Sequence, residues 1–208
     1  MKVFCTVLVA VLLVVSILEA KVYRVDTRSG NDDDLSLSLE LVRADSNSIE
    51  LISRTSNQSD RDVYIATKPR QMSGVDGHYI SIDEPQGLVS MSSRVYPDPP
   101  FYAASDDTSV ELKRLLPGQS HVEKLLVTPP VIETLPPFDR PQRVRKAISI
   151  ERIRKLSVSY GYFSEKRVIQ VANRRVKGSA IVEFENDSQS SLYELQKIIS
   201  SELVVPKK

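Results

Sequence analysis

Leu35-Ser36-Leu37-Ser38-Leu39-Glu40-Leu41 alternates apolar and polar side chains over seven positions. Successive side chains of a strand leave on opposite faces, so a period of two makes one dry face and one wet face. A helix would scatter the same four leucines around its circumference. After Asn47-Ser48, Ile49-Glu50-Leu51-Ile52 reads as a second strand. The polar cluster 54–60 reads as a turn, and Val63-Tyr64-Ile65-Ala66 as a third strand. Further strands are expected at 79–82, 88–95, 110–115, 122–127, 156–162, 168–171 and 180–184. In Leu116-Pro117-Gly118-Gln119, proline presets the first corner and glycine accepts positive φ at the second, the chemistry of a type II turn. Short strands separated by turn residues predict an all-β antiparallel sandwich over residues 35–206.

The amino terminus predicts an address. Met1-Lys2 precedes an apolar run, 3–18, broken only by Thr6 and Ser16, and Glu19-Ala20 follows. The run is shorter than the roughly 18 residues that mark a membrane span. A basic start, an apolar core and a small residue read as a signal peptide, 1–20, cut after Ala20. Leu18 is bulky for its place ahead of that cut, and an uncleaved anchor is the other reading. Residues 21–34 then read as a flexible acidic leader. The expected location is periplasmic or secreted, with membrane contact only through an uncleaved anchor. Cleavage removes Cys5, the sole cysteine, so disulfides and thiol chemistry are not expected.

Of the 208 residues 41% are hydrophobic, enough to bury a core, and the net charge is +1. That balance gives no general pull toward nucleic acid. Residues 26–62 carry nine acids and four bases, whereas 140–177 carry twelve bases and two acids. The bases make the carboxyl-terminal part a basic extension. Arg174, Arg175 and Lys177 sit at an expected hairpin tip and are candidates for an anionic polymer or lipid head group. Nine of the twelve prolines lie between Pro97 and Pro141, which reads as stiff surface loops because proline cannot donate to a ladder. Tyr96, Phe101 and Tyr102 bracket the first of them and are candidates for apolar contact with a protein. Leu192, Leu195, Ile198 and Ile199 have helical spacing and predict a short carboxyl-terminal helix.

No nucleophile elbow, phosphate loop or dinucleotide fingerprint is present, so the reading is non-enzymatic, without cofactor or catalytic residues. His78 and His121 are the only histidines, too few for a dedicated zinc site without cysteine, and read as surface or strand-edge residues. Asn31-Asp32-Asp33-Asp34 lacks the alternating ligands of a calcium loop, so no metal is expected. Asn57-Gln58-Ser59 and Asn186-Asp187-Ser188 match the glycosylation pattern.

Residues 54–63, the later Leu112-x-x-Leu115-Leu116-Pro117-Gly118-Gln119 and the tail 195–203 with Pro206 resemble secreted bacterial immunoglobulin-like sandwich proteins. The resemblance implies a fold and a compartment, and no catalytic residue. Val127-Thr128-Pro129-Pro130 resembles an element of periplasmic pilus chaperones, which are two-domain sandwiches. The chain is too short after Pro130 for a second full domain. The expected function is therefore an exported binding or accessory protein acting through loops, an edge strand or the basic face. A pilus-type chaperone and a protease inhibitor using the 129–141 loop are the alternatives, with a hydrolase behind them.

Overall fold

Alternation along the chain becomes two packed sheets. A computed structural model describes residues 23–28, 34–69, 78–96, 110–134, 144–164, 181–182, 193–194 and 196–206. The expected signal peptide, Phe101, Tyr102, the 174–177 basic tip and the Asn186 pattern lie outside those residues. Strands β1 (Tyr23–Arg28), β2 (Leu35–Ala44), β3 (Ile49–Asn57) and β8 (Ser120–Val127) form a four-stranded antiparallel sheet in the order β1-β2-β3-β8. The facing sheet runs β12 (Ile181–Val182), β7 (Val110–Leu115), β4 (Val63–Pro69), β11 (Lys155–Ser164), β6 (Leu88–Ser93) and β5 (Tyr79–Asp83). Strand β13 (Lys197–Val204) also pairs with β11. A two-residue ladder joins β9 (Val131–Ile132) to β10 (Ala147–Ile148). The molecule is thus the expected all-β sandwich, with one parallel pairing, β6 on β11.

The leucines of the 35–41 stretch do what their spacing predicts. Leu35, Leu37, Leu39 and Leu41 are buried, and the residues between them are half-buried on the outer face. They meet Ile49 and Leu51 of β3, Leu125 and Val127 of β8, and Ile65, Val89, Met91, Leu156 and Val158 of the other sheet in one core. Each such side chain contributes about 1.5–3 kcal/mol by leaving water. The period breaks after Leu41, where the β2–β3 register shifts, as a bulge requires. The expected turn is present: Gln119 N–H donates to the Leu116 carbonyl at 2.9 Å, with Gly118 at φ 75°.

Three expectations change. Residues 54–57 continue β3 instead of starting a turn, because Ser53, Thr55 and Asn57 stay in phase with Ile49 and Leu51 on the inner face. Tyr23–Arg28, inside the stretch read as a leader, pair with β2 from Tyr23↔Leu41 to Arg28↔Ser36. Ile198 and Ile199 lie on β13, not on a helix. Ile199, Ser201 and Leu203 are buried while their neighbours face out, and pairing with β11 over eight residues decides the conformation. The β-branched isoleucines favour a strand, and that preference with the pairing overrides the helical spacing of the apolar residues. Strands β11 and β13 are therefore built into the sandwich, β11 between other strands and β13 packed against β1 and β2. Lys197 Nζ reaches Asp34 at 3.8 Å across that seam. Among the described residues no helix is long and apolar enough to cross a membrane.

Candidate functional site: an edge strand over a buried polar chain

Strand β8 borders the four-stranded sheet and, among the described residues, pairs with no strand other than β3. It is eight residues long, and its outward positions include Val122, 47% exposed, and Lys124, which pairs with Glu50 at 2.7 Å. One border strand of the other sheet, β5, is treated differently. Ile80 of β5 exchanges two backbone hydrogen bonds with Thr134, each 2.9 Å, so a neighbouring segment caps that edge. Capped or very short edges resist pairing with foreign chains, whereas β8 is long and has no second strand beside it among the described residues.

Beneath β8 the core turns polar. Register places Leu51 opposite Leu125, then Ser53 opposite Glu123, then Thr55 opposite His121. All six face inward by alternation. From the other sheet come Tyr160 of β11, Lys113 of β7 and His78 just ahead of β5. Tyr160 Oη lies 2.9 Å from Glu123 Oε2 and 2.8 Å from Ser53 Oγ. A carboxylate only accepts, so the phenol donates to Glu123 and accepts from the serine. Burial pushes the Tyr160 phenol well above its ordinary pKa, reinforced by the Glu123 charge, so it stays a donor. Burial also raises Glu123, but the neighbouring His121, His78 and the Tyr160 hydroxyl outweigh it and hold the carboxyl below its ordinary value.

The two imidazoles reach the same carboxylate oxygen. His78 Nε2 lies 3.7 Å and His121 Nε2 3.8 Å from Glu123 Oε2. His78 is fully buried and edge-on to Tyr160 at 5.8 Å, which corrects its reading as a surface residue. A segment after Gly77 that carries a polar side chain inward was invisible to alternation, since the strand starts only at Tyr79. The signal for the rest was available. His121 and Glu123 occupy the same strand phase as Leu125 and Val127. Among the described residues no group of three or more His, Cys, Asp or Glu is arranged to hold a metal.

Of the candidates named from sequence, Tyr96 is described. It is half-buried after β6, edge-on to Tyr79 at 4.7 Å, with the Arg94 guanidinium 4.6 Å from its ring centre and its hydroxyl 2.8 Å from Ser92 Oγ. Burial, then the neighbouring Tyr96, pushes the Tyr79 phenol to about 12. Asn57, the first residue of a glycosylation pattern, is 1% exposed. Its Nδ2 donates to the carbonyls of Arg61 and Leu115 at 2.7 and 2.9 Å, and its Oδ1 accepts from Ser59. Its amide is committed to holding the β3 and β7 chain ends. Arg174, Arg175, Lys177, Phe101 and Tyr102 lie outside the described residues.

A cleft of about 310 Å³ opens at the other end of β3, with Ile49, Ile150, Ile153 and Val205 on its walls and Asp45 and Arg154 at its rim. Those charges already serve the backbone: Asp45 Oδ1 accepts from the amides of Asn47 and Ser48, and Arg154 binds the carbonyls of Glu151 and Ile153. The polar chain under β8 is the richer arrangement. Comparison with protein-family models, curated proteins and solved structures finds no match to this chain.

Proposed function

We propose that the chain is an exported, non-enzymatic binding or accessory protein, built as an immunoglobulin-like sandwich, that captures an extended segment of a partner protein along β8. One observation carries this reading: β8 is an eight-residue border strand with an exposed valine at its centre and no strand beyond it among the described residues. Strand addition supplies main-chain hydrogen bonds for affinity, and alternate side chains supply selectivity. The amino-terminal pattern supports export. A non-catalytic reading fits the burial of Ser53, His78 and Tyr160, which a substrate would have to reach.

Crosslinking and pull-down of the tagged chain from its own compartment tests it. Val122→Lys places a charge on the border strand while changing stability by at most about 0.5 kcal/mol, as exposed substitutions do. Capture should weaken roughly tenfold, the equivalent of about 1.4 kcal/mol. Undiminished capture by this variant would remove β8 from consideration. Capture lost instead on charge reversal at Arg174, Arg175 and Lys177 would replace the extended protein segment with an anionic partner.

A further inference from the structure

Lys113 Nζ lies 3.1 Å from His121 Nδ1. An ammonium has hydrogens and no lone pair, so the lysine donates and Nδ1 accepts. His121 then carries its single proton on Nε2, the atom that faces Glu123 Oε2 at 3.8 Å. That nitrogen is buried, and at 3.8 Å its approach to the carboxylate is longer than a formed hydrogen bond. The imidazole thus stands between a cation of one sheet and an anion of its own strand, bonded to the cation. A second proton has one place to go, Nδ1, and the lysine occupies it.

We propose that His121 is a proton-operated switch between the two sheets: neutral, it is held by Lys113 of β7, and protonated from solvent on Nδ1, it releases Lys113 and is drawn to Glu123. Two donors and two positive charges cannot share a 3.1 Å contact, whereas an imidazolium beside a carboxylate gains a charge-assisted bond. Among the described residues, the titratable groups that face His121 act on this choice. Lys113 of β7 opposes protonation, and Glu123 of β8 favours it. His78, ahead of β5, competes for the same oxygen at 3.7 Å. Tyr160 of β11 remains a neutral donor to Glu123, and Ser53 and Thr55 of β3 carry no charge.

The surrounding corner does not respond to protons in the same way. It is held by Asn57 Nδ2 on the Leu115 carbonyl, Gly118 N–H on the Asn57 carbonyl, Asn57 N–H on the Gln119 carbonyl and the Ser56–Ser120 hydroxyl pair. None of these groups ionises where an imidazole does. The corner therefore stays closed while the side-chain tie from β7 to the start of β8 is broken by acid. If β8 is the docking strand proposed above, capture becomes sensitive to pH; that consequence alone rests on the strand-addition reading.

Nitrogen-15 NMR of the imidazoles in the full chain tests the switch without any partner, so a failure of docking at β8 does not affect the outcome. Only two histidines exist, and ring-to-backbone correlations tell them apart. At about pH 8, well above the ordinary imidazole pKa, His121 should show the Nε2–H tautomer. On acidification the Lys113 side-chain resonances should move with its midpoint. Lys113→Met, which keeps the stem and removes the charge, should shift the His121 midpoint upward, and Glu123→Gln should shift it downward. An Nδ1–H tautomer in alkaline solution, or a midpoint unmoved by Lys113→Met, would overturn the proposal. Wild type and Lys113→Met decide the matter even if Glu123→Gln fails to fold.

Discussion

Tyr160 joins groups from both sheets through one hydroxyl, accepting from Ser53 and donating to Glu123. Tyr160→Phe keeps the ring and its packing but strips both neighbours of a buried partner. The expected loss is about 1–3 kcal/mol, the cost of leaving buried polar groups unsatisfied, read from urea unfolding. A loss below about 0.5 kcal/mol would mean that water replaces the phenol. Glu123 predicts a pH effect of definite sign. Its carboxyl is held below the ordinary value of 4.5, so the folded state binds its proton less readily than the unfolded chain. The stability it confers is complete above that ordinary value and drains away as pH falls through the lower, folded one. Wild-type stability should therefore decline on acidification through that window, and Glu123→Gln should lack that part of the decline. Equal acid slopes in the two proteins would contradict the assignment. These residues were partly legible in the sequence. His121 and Glu123 keep the inward phase of Leu125 and Val127, but phase alone says nothing of what a polar side chain meets on the opposite sheet.

Turns and strands differed in how well local chemistry revealed them. The 116–119 turn was readable because proline and glycine fix its angles without help from elsewhere. The 84–87 turn was not, although Gly87 has φ 62°. Its glycine answers to a distant segment: a Cβ there would lie 2.5 Å from the Arg152 carbonyl oxygen and 2.9 Å from Arg154 Cγ. Nothing lies within 4 Å of a Cβ at Gly118. The two glycines thus separate backbone strain from steric contact. Gly118→Ala should cost about 1–2 kcal/mol, the left-handed penalty for one residue. Gly87→Ala should cost about 3 kcal/mol or more, since overpacking against backbone adds to that penalty. Thermal melts of the two variants would rank them, and a reversed order would mean that the 150–154 segment yields freely. Strand β13 was missed for a related reason. Four apolar residues at 192, 195, 198 and 199 fit a helix locally, whereas the partner that makes a strand of 197–204 lies far earlier in the chain, at 155–162.

For the whole molecule, alternation revealed that two sheets exist but not how the chain divides between them. The β2–β3 pairing follows from adjacency. The parallel pairing of β6 with β11, and the insertion of β11 among β4, β6 and β13, follow from no local pattern. That topology decides what the carboxyl-terminal end does. A basic extension attached to a finished sandwich would be dispensable. Here Ile199 and Leu203 of β13 and Val205 after it are buried in the common core, and β13 leans on β1 and β2 of the opposite sheet. Three such side chains contribute roughly 5–9 kcal/mol by burial. That is comparable to the entire stability of an ordinary domain, about 5–15 kcal/mol. Truncation before Lys197 should therefore abolish cooperative unfolding, because it also strips β11 of one partner from Lys155 to Tyr162. Equilibrium denaturation followed by tyrosine fluorescence would show a broad, non-cooperative change in place of a sigmoid. A truncated chain that still unfolds in one sharp transition near the full-length midpoint would return these residues to the status of an appendage. It would also place the closure of the sandwich on β2, β3 and β8 against β4 and β6 alone.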